Sequence, residues 1–126
     1  MFEEQANLTL SRMQALWPGV ITDHAGFVAV PVRMLKMQRQ MGLSATDMIV
    51  AINLLGYRWT YGGAIFPRNS VIAKRMGISS RTVQRSIERM IKQGLIERIK
   101  DADGKRVLLM DKLAALLSRA SRDDWN

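Results

Sequence analysis

The sequence predicts a mainly α-helical chain with one small β-hairpin near its C-terminal end. Two observations carry that prediction. Apolar residues recur at spacings of three and four through much of the 126 residues, the period of an amphipathic helix, and glycines or a Pro-Gly pair stand where such runs stop. Against this background only residues 95–100 and 105–110 read as a pair of strands, and Asp101-Ala102-Asp103-Gly104 joins them as a hairpin loop.

Each element has its own signal. Phe2, Ala6, Leu10, Met13 and Trp17 draw one apolar stripe, so residues 2–17 are expected to be a helix that ends at Pro18-Gly19. Residues 20–26 read as a loop. Residues 27–32 are rich in β-branched and aromatic residues and read as a short strand or extended segment, which Pro31 confines to an edge. A short helix over 34–41 is closed by Gly42. Ser44 then caps another helix, with Asp47 three residues on as a short-acid capping box and Met48, Ile49, Ile52 and Leu55 as its apolar face. Gly62-Gly63 ends that region, and residues 64–67 are a brief extended piece. Ser70 is placed to cap a helix over 71–76, which Gly77 breaks. Ser79 or Ser80 caps the next helix, which runs to Gln93 with Gly94 as its stop. Val83, Ile87, Met90 and Ile91 are its buried face. The alternation of the two strands is imperfect and leaves open which side meets the core. A last helix over 112–120 carries Leu113, Leu116, Leu117 and Ala120 on one side.

The composition excludes several classes. With 48% hydrophobic and 24% charged residues the chain is ordinary globular protein, neither disordered nor a low-complexity repeat. Its length is that of one domain of ~100–200 residues, with helical extensions. No apolar run approaches the ~20 residues that cross a bilayer, and Met-Phe-Glu-Glu puts acid where a signal peptide needs base, so a soluble, cytoplasmic chain is expected. The absence of cysteine excludes disulfides, thiolate metal sites and a cysteine nucleophile.

Charge is more informative. The net charge is +8, and residues 68–106 hold eleven basic side chains against four acids, so that segment carries +7 and the rest +1. A concentrated positive field points to a polyanionic partner. Within it, Ala73, Gly77, Ile78 and Val83 form a recognisable set. A small Ala73 lets two helices cross closely. Gly77 takes a left-handed turn conformation without a Cβ penalty. Ile78 and Val83 fill the angle between the helices. With Val83 at the centre of the buried face, Arg81, Arg85, Glu88, Arg89 and Lys92 fall on the opposite side at 100° per residue. Arginine contacts guanine bidentately, and both arginine and lysine neutralise phosphate.

The segment from Ala73 to Arg85, preceded by a helix and followed by a basic hairpin, resembles the winged helix-turn-helix family over roughly residues 44–110. Residues 27–31, Met41-Gly42-Leu43-Ser44, Phe66-Pro67 and Arg81-Thr82-Val83-Gln84-Arg85 further resemble the small helix-turn-helix domains of DnaD-type primosomal proteins and plasmid replication initiators. The resemblance implies that residues 80–89 are a recognition helix for the major groove and that the hairpin is a wing beside the phosphates or the minor groove. The expected DNA contacts are Arg68, Asn69, Ser79, Ser80, Arg81, Thr82, Gln84, Arg85, Arg89, Lys100, Lys105 and Arg106. Arg68 and Asn69 precede the 71–76 helix, where free backbone amides suit a phosphate, or else form a plain capping loop. Lys74 and Arg75 are further backbone candidates. Glu88 departs from the basic pattern and either meets a cytosine amino group or pairs with a neighbouring arginine.

Other candidates carry less. His24 is the only histidine and reads as a loop residue rather than a metal ligand. Asp101 and Asp103 lack the further ligands of a calcium loop, and Gly62-Gly63 lacks the Gly-x4-Gly-Lys phosphate loop. Trp17, Trp59 and Tyr61 read as packing or interface groups, with base stacking on the latter two as the alternative.

The expectation is therefore a non-enzymatic, sequence-specific binder of double-stranded DNA with no cofactor, metal or membrane, in a bacterial cytoplasm and at the nucleoid when bound. Transcriptional regulation as a homodimer on an inverted repeat is the first role. A plasmid or phage origin-binding replication accessory is the alternative, and a protein-interaction winged helix the second. The domain divides as residues 1–19, a helix and dimerisation arm; 20–111, the DNA-binding domain; and 112–126, a C-terminal helix and tail. The Phe2-to-Trp17 stripe and Leu113, Leu116 and Leu117 lie outside a minimal winged helix; either they pair two copies or they fold back to complete the core.

Overall fold

The structure, a computed structural model, describes residues 2–22, 26–58, 65–66 and 68–120, with no side-chain description for residues 2–8 and Arg58. His24, Trp59, Tyr61, Gly62 and Gly63 lie outside these residues. The order of elements is α1 (Phe2–Leu16), α2 (Val32–Lys36), α3 (Ala45–Arg58), α4 (Asn69–Met76), α5 (Ser80–Lys92), β1 (Glu97–Lys100), β2 (Arg106–Leu109) and α6 (Asp111–Arg119). This is a winged helix-turn-helix arrangement: helices α3, α4 and α5 followed by an antiparallel hairpin.

The capping box at α3 forms as the sequence implies. The Asp47 N–H donates to Ser44 Oγ at 3.1 Å and the Ser44 N–H donates to Asp47 Oδ2 at 3.2 Å, so two orphan amides are satisfied reciprocally. Ser79 caps α5 by accepting from the Thr82 N–H at 3.1 Å. At α4 the expectation fails by a residue or two. The helix starts at Asn69, Ser70 lies inside it, and Arg68 occupies the cap position with no side-chain bond. Residues 26–31 form no strand, and Pro31, with φ of −62°, leads directly into α2. That helix is shorter than expected and gives way to turns that end at Gly42.

Gly77 decides the turn between α4 and α5. Its φ of +69° is left-handed, and the Ile78 N–H closes on the Ala73 carbonyl at 3.0 Å. Ala73 is buried, and α5 crosses both α3 and α4. Val83, Ile87 and Met90 of α5 meet Val50, Ala51 and Leu54 of α3, Ile72 of α4 and Ile96 before β1 in one core. Each fully buried aliphatic side chain there is worth about 1.5–3 kcal/mol.

The face of α3 differs from its sequence assignment. Met48 and Leu55 are buried, but Ile49 is 46% exposed and Ile52 half-buried. The buried positions Asp47, Met48, Val50, Ala51, Leu54 and Leu55 form one broad face, about 160° wide at 100° per residue, and Ile49 falls opposite its centre. The hairpin explains its own irregular alternation. β1 and β2 pair from Glu97↔Leu109 to Lys100↔Arg106, and Ile65 bridges Leu108 on the other edge. β2 is thus central, and Val107 and Leu108 are both buried.

Helix α6 belongs to the same core: Leu113 and Leu117 are buried in it, and Arg33 Nη1 of α2 donates to the Leu117 carbonyl at 3.1 Å. The C-terminal leucines therefore fold back, one of the two outcomes left open above. None of the described side chains of α1 joins the core. Leu10 and Met13 are half-buried, while Leu16 and Trp17 are 68% and 56% exposed.

Candidate nucleic-acid interface

Helix α5 presents three sides. One is the apolar side already described. A second faces the start of α3. There Asp47, 2% exposed, accepts at Oδ1 from Ser86 Oγ and from Arg89 Nη2, both at 2.7 Å. Burial alone drives the Asp47 carboxyl upward, but the bonds from Ser86, Arg89 and Ser44 outweigh it and hold the group below its ordinary value. Asp47 is a buried anion that ties the first turn of α3 to the middle of α5.

The third side is open. Arg81, Gln84, Arg85 and Ser80 of α5, with Asn69 at the start of α4 and Glu88 at the hairpin end, line a shallow cleft of about 570 Å³. Arg81 and Arg85 make no ion pair among the described residues. Asn69 Oδ1 is buried beside them with no hydrogen-bond partner among the described residues. Glu88 Oε1 takes Arg98 Nη1 from β1 at 2.7 Å, which answers its departure from the basic pattern: it pairs with a neighbouring arginine.

On the hairpin, Lys100 and Arg106 stand directly opposite each other. Like charges in that relation repel, and neither is paired with an acid among the described residues. The acid nearby serves the turn instead: Asp101 Oδ1 accepts from the Asp103 and Lys105 N–H groups, each at 2.9 Å.

The twelve residues singled out by sequence thus separate. Asn69, Ser80, Arg81, Gln84 and Arg85 come together in the cleft, and Lys100, Lys105 and Arg106 are exposed on the hairpin. Arg68 is exposed at the start of α4. Ser79 and Thr82 spend their side chains on the α5 cap, their hydroxyls 2.8 Å apart. Arg89 does not line the cleft; its guanidinium is engaged by Asp47. Arg75 likewise turns to α3, donating to Asn53 Oδ1 at 3.3 Å with its guanidinium 6.0 Å from the Tyr57 ring centre. The Asp47–Ser86 contact was missed in the sequence. Its signal is there: Ser86 interrupts the apolar side of α5, and Asp47 sits among the buried positions of α3.

Residues 39–96 match the family model described as a helix-turn-helix domain. Among solved structures, the N-terminal domain of DnaD protein from Geobacillus kaustophilus HTA426 is similar with a TM-score of 0.60 and 20% identity, over 85% of this chain and 86% of that one. YusO protein from Bacillus subtilis is similar with a TM-score of 0.43 and 20% identity, over 97% of this chain and 86% of that one. No curated protein matches the sequence. The first likeness extends the shared fold beyond the helix-turn-helix domain itself. No helix among the described residues is long and apolar enough to cross a membrane, and they hold no group of three or more histidine, aspartate or glutamate residues placed for a metal.

Proposed function

We propose that the chain binds double-stranded DNA sequence-specifically through α5 and acts as a transcriptional regulator, without catalysis, by occupying its site. The open cleft along α5 is the observation that carries this reading. A 13-residue helix is about 20 Å long, and the major groove of B-DNA, ~12 Å wide, admits it. Arg81, Gln84 and Arg85 are the side chains for base edges, since Arg suits guanine and Gln suits adenine. Lys100, Lys105 and Arg106 neutralise phosphates, and Arg68 does so at the start of α4. Ser79 and Thr82 act by fixing the end of α5.

A homodimer on an inverted repeat extends this reading. One domain reads a short half-site, and a second copy places another recognition helix about 34–36 Å along the same DNA face. The exposed Leu16 and Trp17 at the end of α1 support α1 as the pairing element, as does the absence of its described side chains from the core. An origin-binding role in replication would use the same surface, and the DNA fragments recovered would separate the two roles.

The test is duplex binding as a function of salt, with fragments selected from the source genome as ligands. Neutralising Z phosphates gives a slope of about −0.9Z in log K against log salt, and roughly 4–6 contacts per protomer are expected. A flat salt response would overturn the proposal.

A further inference from the structure

We propose that Glu88 is a specificity-determining residue: by holding Arg98 it keeps one wing cation off the DNA phosphates and leaves the reading face one negative position. This rests on the DNA-binding reading above and deepens it. Glu88 lines the same cleft as Arg81 and Arg85. Its carboxylate is the one acidic group among the described residues of that lining, and it is paired across the α5–β1 junction rather than within α5. The pair is exposed, 35% at Arg98 and 48% at Glu88, and such pairs contribute little to stability. Its consequence is therefore sought at the surface it occupies.

Two effects follow from the geometry. Arg98 and Lys100 are alternate residues of β1 and both are exposed, so they stand on one face of that strand. Lys100 is unpaired and meets an anion; Arg98 is already neutralised. The wing thus offers fewer phosphate contacts than its sequence suggests. A phosphate that draws Arg98 away leaves the Glu88 carboxylate bare between Arg85 and the wing, and that charge repels it. Specificity is a difference between affinities, and a repulsive element raises it by weakening the wrong complex. Glu88 lowers affinity for all duplexes and lowers it most for those that do not fit.

The experiment uses the full chain, a mixed-sequence duplex and the fragments selected by the wild type. Glu88→Ala, at an exposed helical position, frees Arg98. The slope of log K against log salt on the mixed duplex becomes steeper by about 0.9, with affinity up about eight-fold at 0.1 M salt, and the ratio of selected to mixed affinity falls. Arg98→Gln alone leaves the wild-type slope unchanged, while added to Glu88→Ala it removes the extra 0.9. Glu88→Ala with an unchanged slope and ratio overturns the inference. So does a loss of about 0.9 from Arg98→Gln alone, which would mean that Arg98 already contacts phosphate in the wild-type complex. Either result with a steep wild-type slope removes only this inference; a flat wild-type slope removes the DNA-binding reading with it.

Discussion

Replacing Asp47 tests whether α5 is held from behind. Oδ1 of Asp47 takes two hydrogen bonds at 2.7 Å, and Oδ2 takes the Ser44 N–H at 3.2 Å. Bonds to a charged group are worth about 1.5–3 kcal/mol each, and truncating one member of a buried pair costs about 3–5 kcal/mol. Arg89 is 49% exposed on its side chain, so water recovers part of its loss and the lower end applies. Asp47→Ala also removes the α3 capping box, worth about 0.5–2 kcal/mol. The expected destabilisation is about 3–5 kcal/mol for Asp47→Ala, and about 1–2 kcal/mol for Arg89→Ala, which leaves Asp47 with its two serine partners. Because both substitutions break the same contact, the double variant should be less destabilised than their sum by about 1 kcal/mol or more. Urea unfolding of the four proteins, with the slope against denaturant held constant, measures this. Additivity within about 0.5 kcal/mol would refute the view that Arg89 is anchored by Asp47.

Other predictions follow from the same geometry. The Asp47 carboxyl titrates below its ordinary value in the folded protein; the stability it confers is present above its unfolded pKa of ~3.9 and is lost as pH falls through the folded value. The acid limb of a pH–stability curve should therefore flatten in Asp47→Asn, and an unchanged acid limb contradicts this. Arg81→Ala and Arg85→Ala should each cost about 1–3 kcal/mol on a selected site and relax one base position, whereas Lys105→Ala and Arg106→Ala should weaken selected and scrambled duplexes alike; identical behaviour of the two sets ends that division. Gly77 has φ of +69° and open space where a Cβ would point, so Gly77→Ala should cost about 1 kcal/mol in backbone strain and Gly77→Val more; a Gly77→Val protein of wild-type melting temperature would disprove the left-handed turn. A chain starting at Val20 should be a folded monomer by light scattering if α1 pairs two copies, and a full-length monomer that binds an inverted repeat without cooperativity sinks the dimer.

Local chemistry made much of this fold legible. Ser44 with Asp47, Ser79 with Thr82, and the turn at Gly77 are decided within a few residues, so one-dimensional patterns reach them. Long-range decisions were not legible. Whether Leu113 and Leu117 turn inward depends on a gap left by α2 and α3, and nothing near α6 encodes that gap. Ile65, more than forty residues away in sequence, bridges Leu108 on a second edge of β2, a pairing that no local pattern encodes. Ile49 is misassigned because its residue type does not say which side of α3 the fold covers, and it falls opposite the face that Asp47, Met48, Val50, Ala51, Leu54 and Leu55 bury.

The division of α5 is the case where a small angle decides which way a side chain is committed. Arg85 and Arg89 are the same residue type one turn apart, and on an ideal helix they differ by about 40° around the axis. By composition they are interchangeable, and sequence reasoning assigns both to DNA. In the fold, that rotation brings Arg89 toward Ser86 and the buried carboxylate of Asp47, while Arg85 lines the cleft. The polar residue on the inner side of the helix is what separates them. Ser86 needs a partner because it is fully buried, the partner Asp47 is charged, and its second bond is made to the nearest cation on that side. A buried serine in an otherwise apolar stripe is thus a sequence-level sign that one flank of a recognition helix is committed to the scaffold. It follows that basic residues on that flank should be discounted when phosphate contacts are counted from sequence.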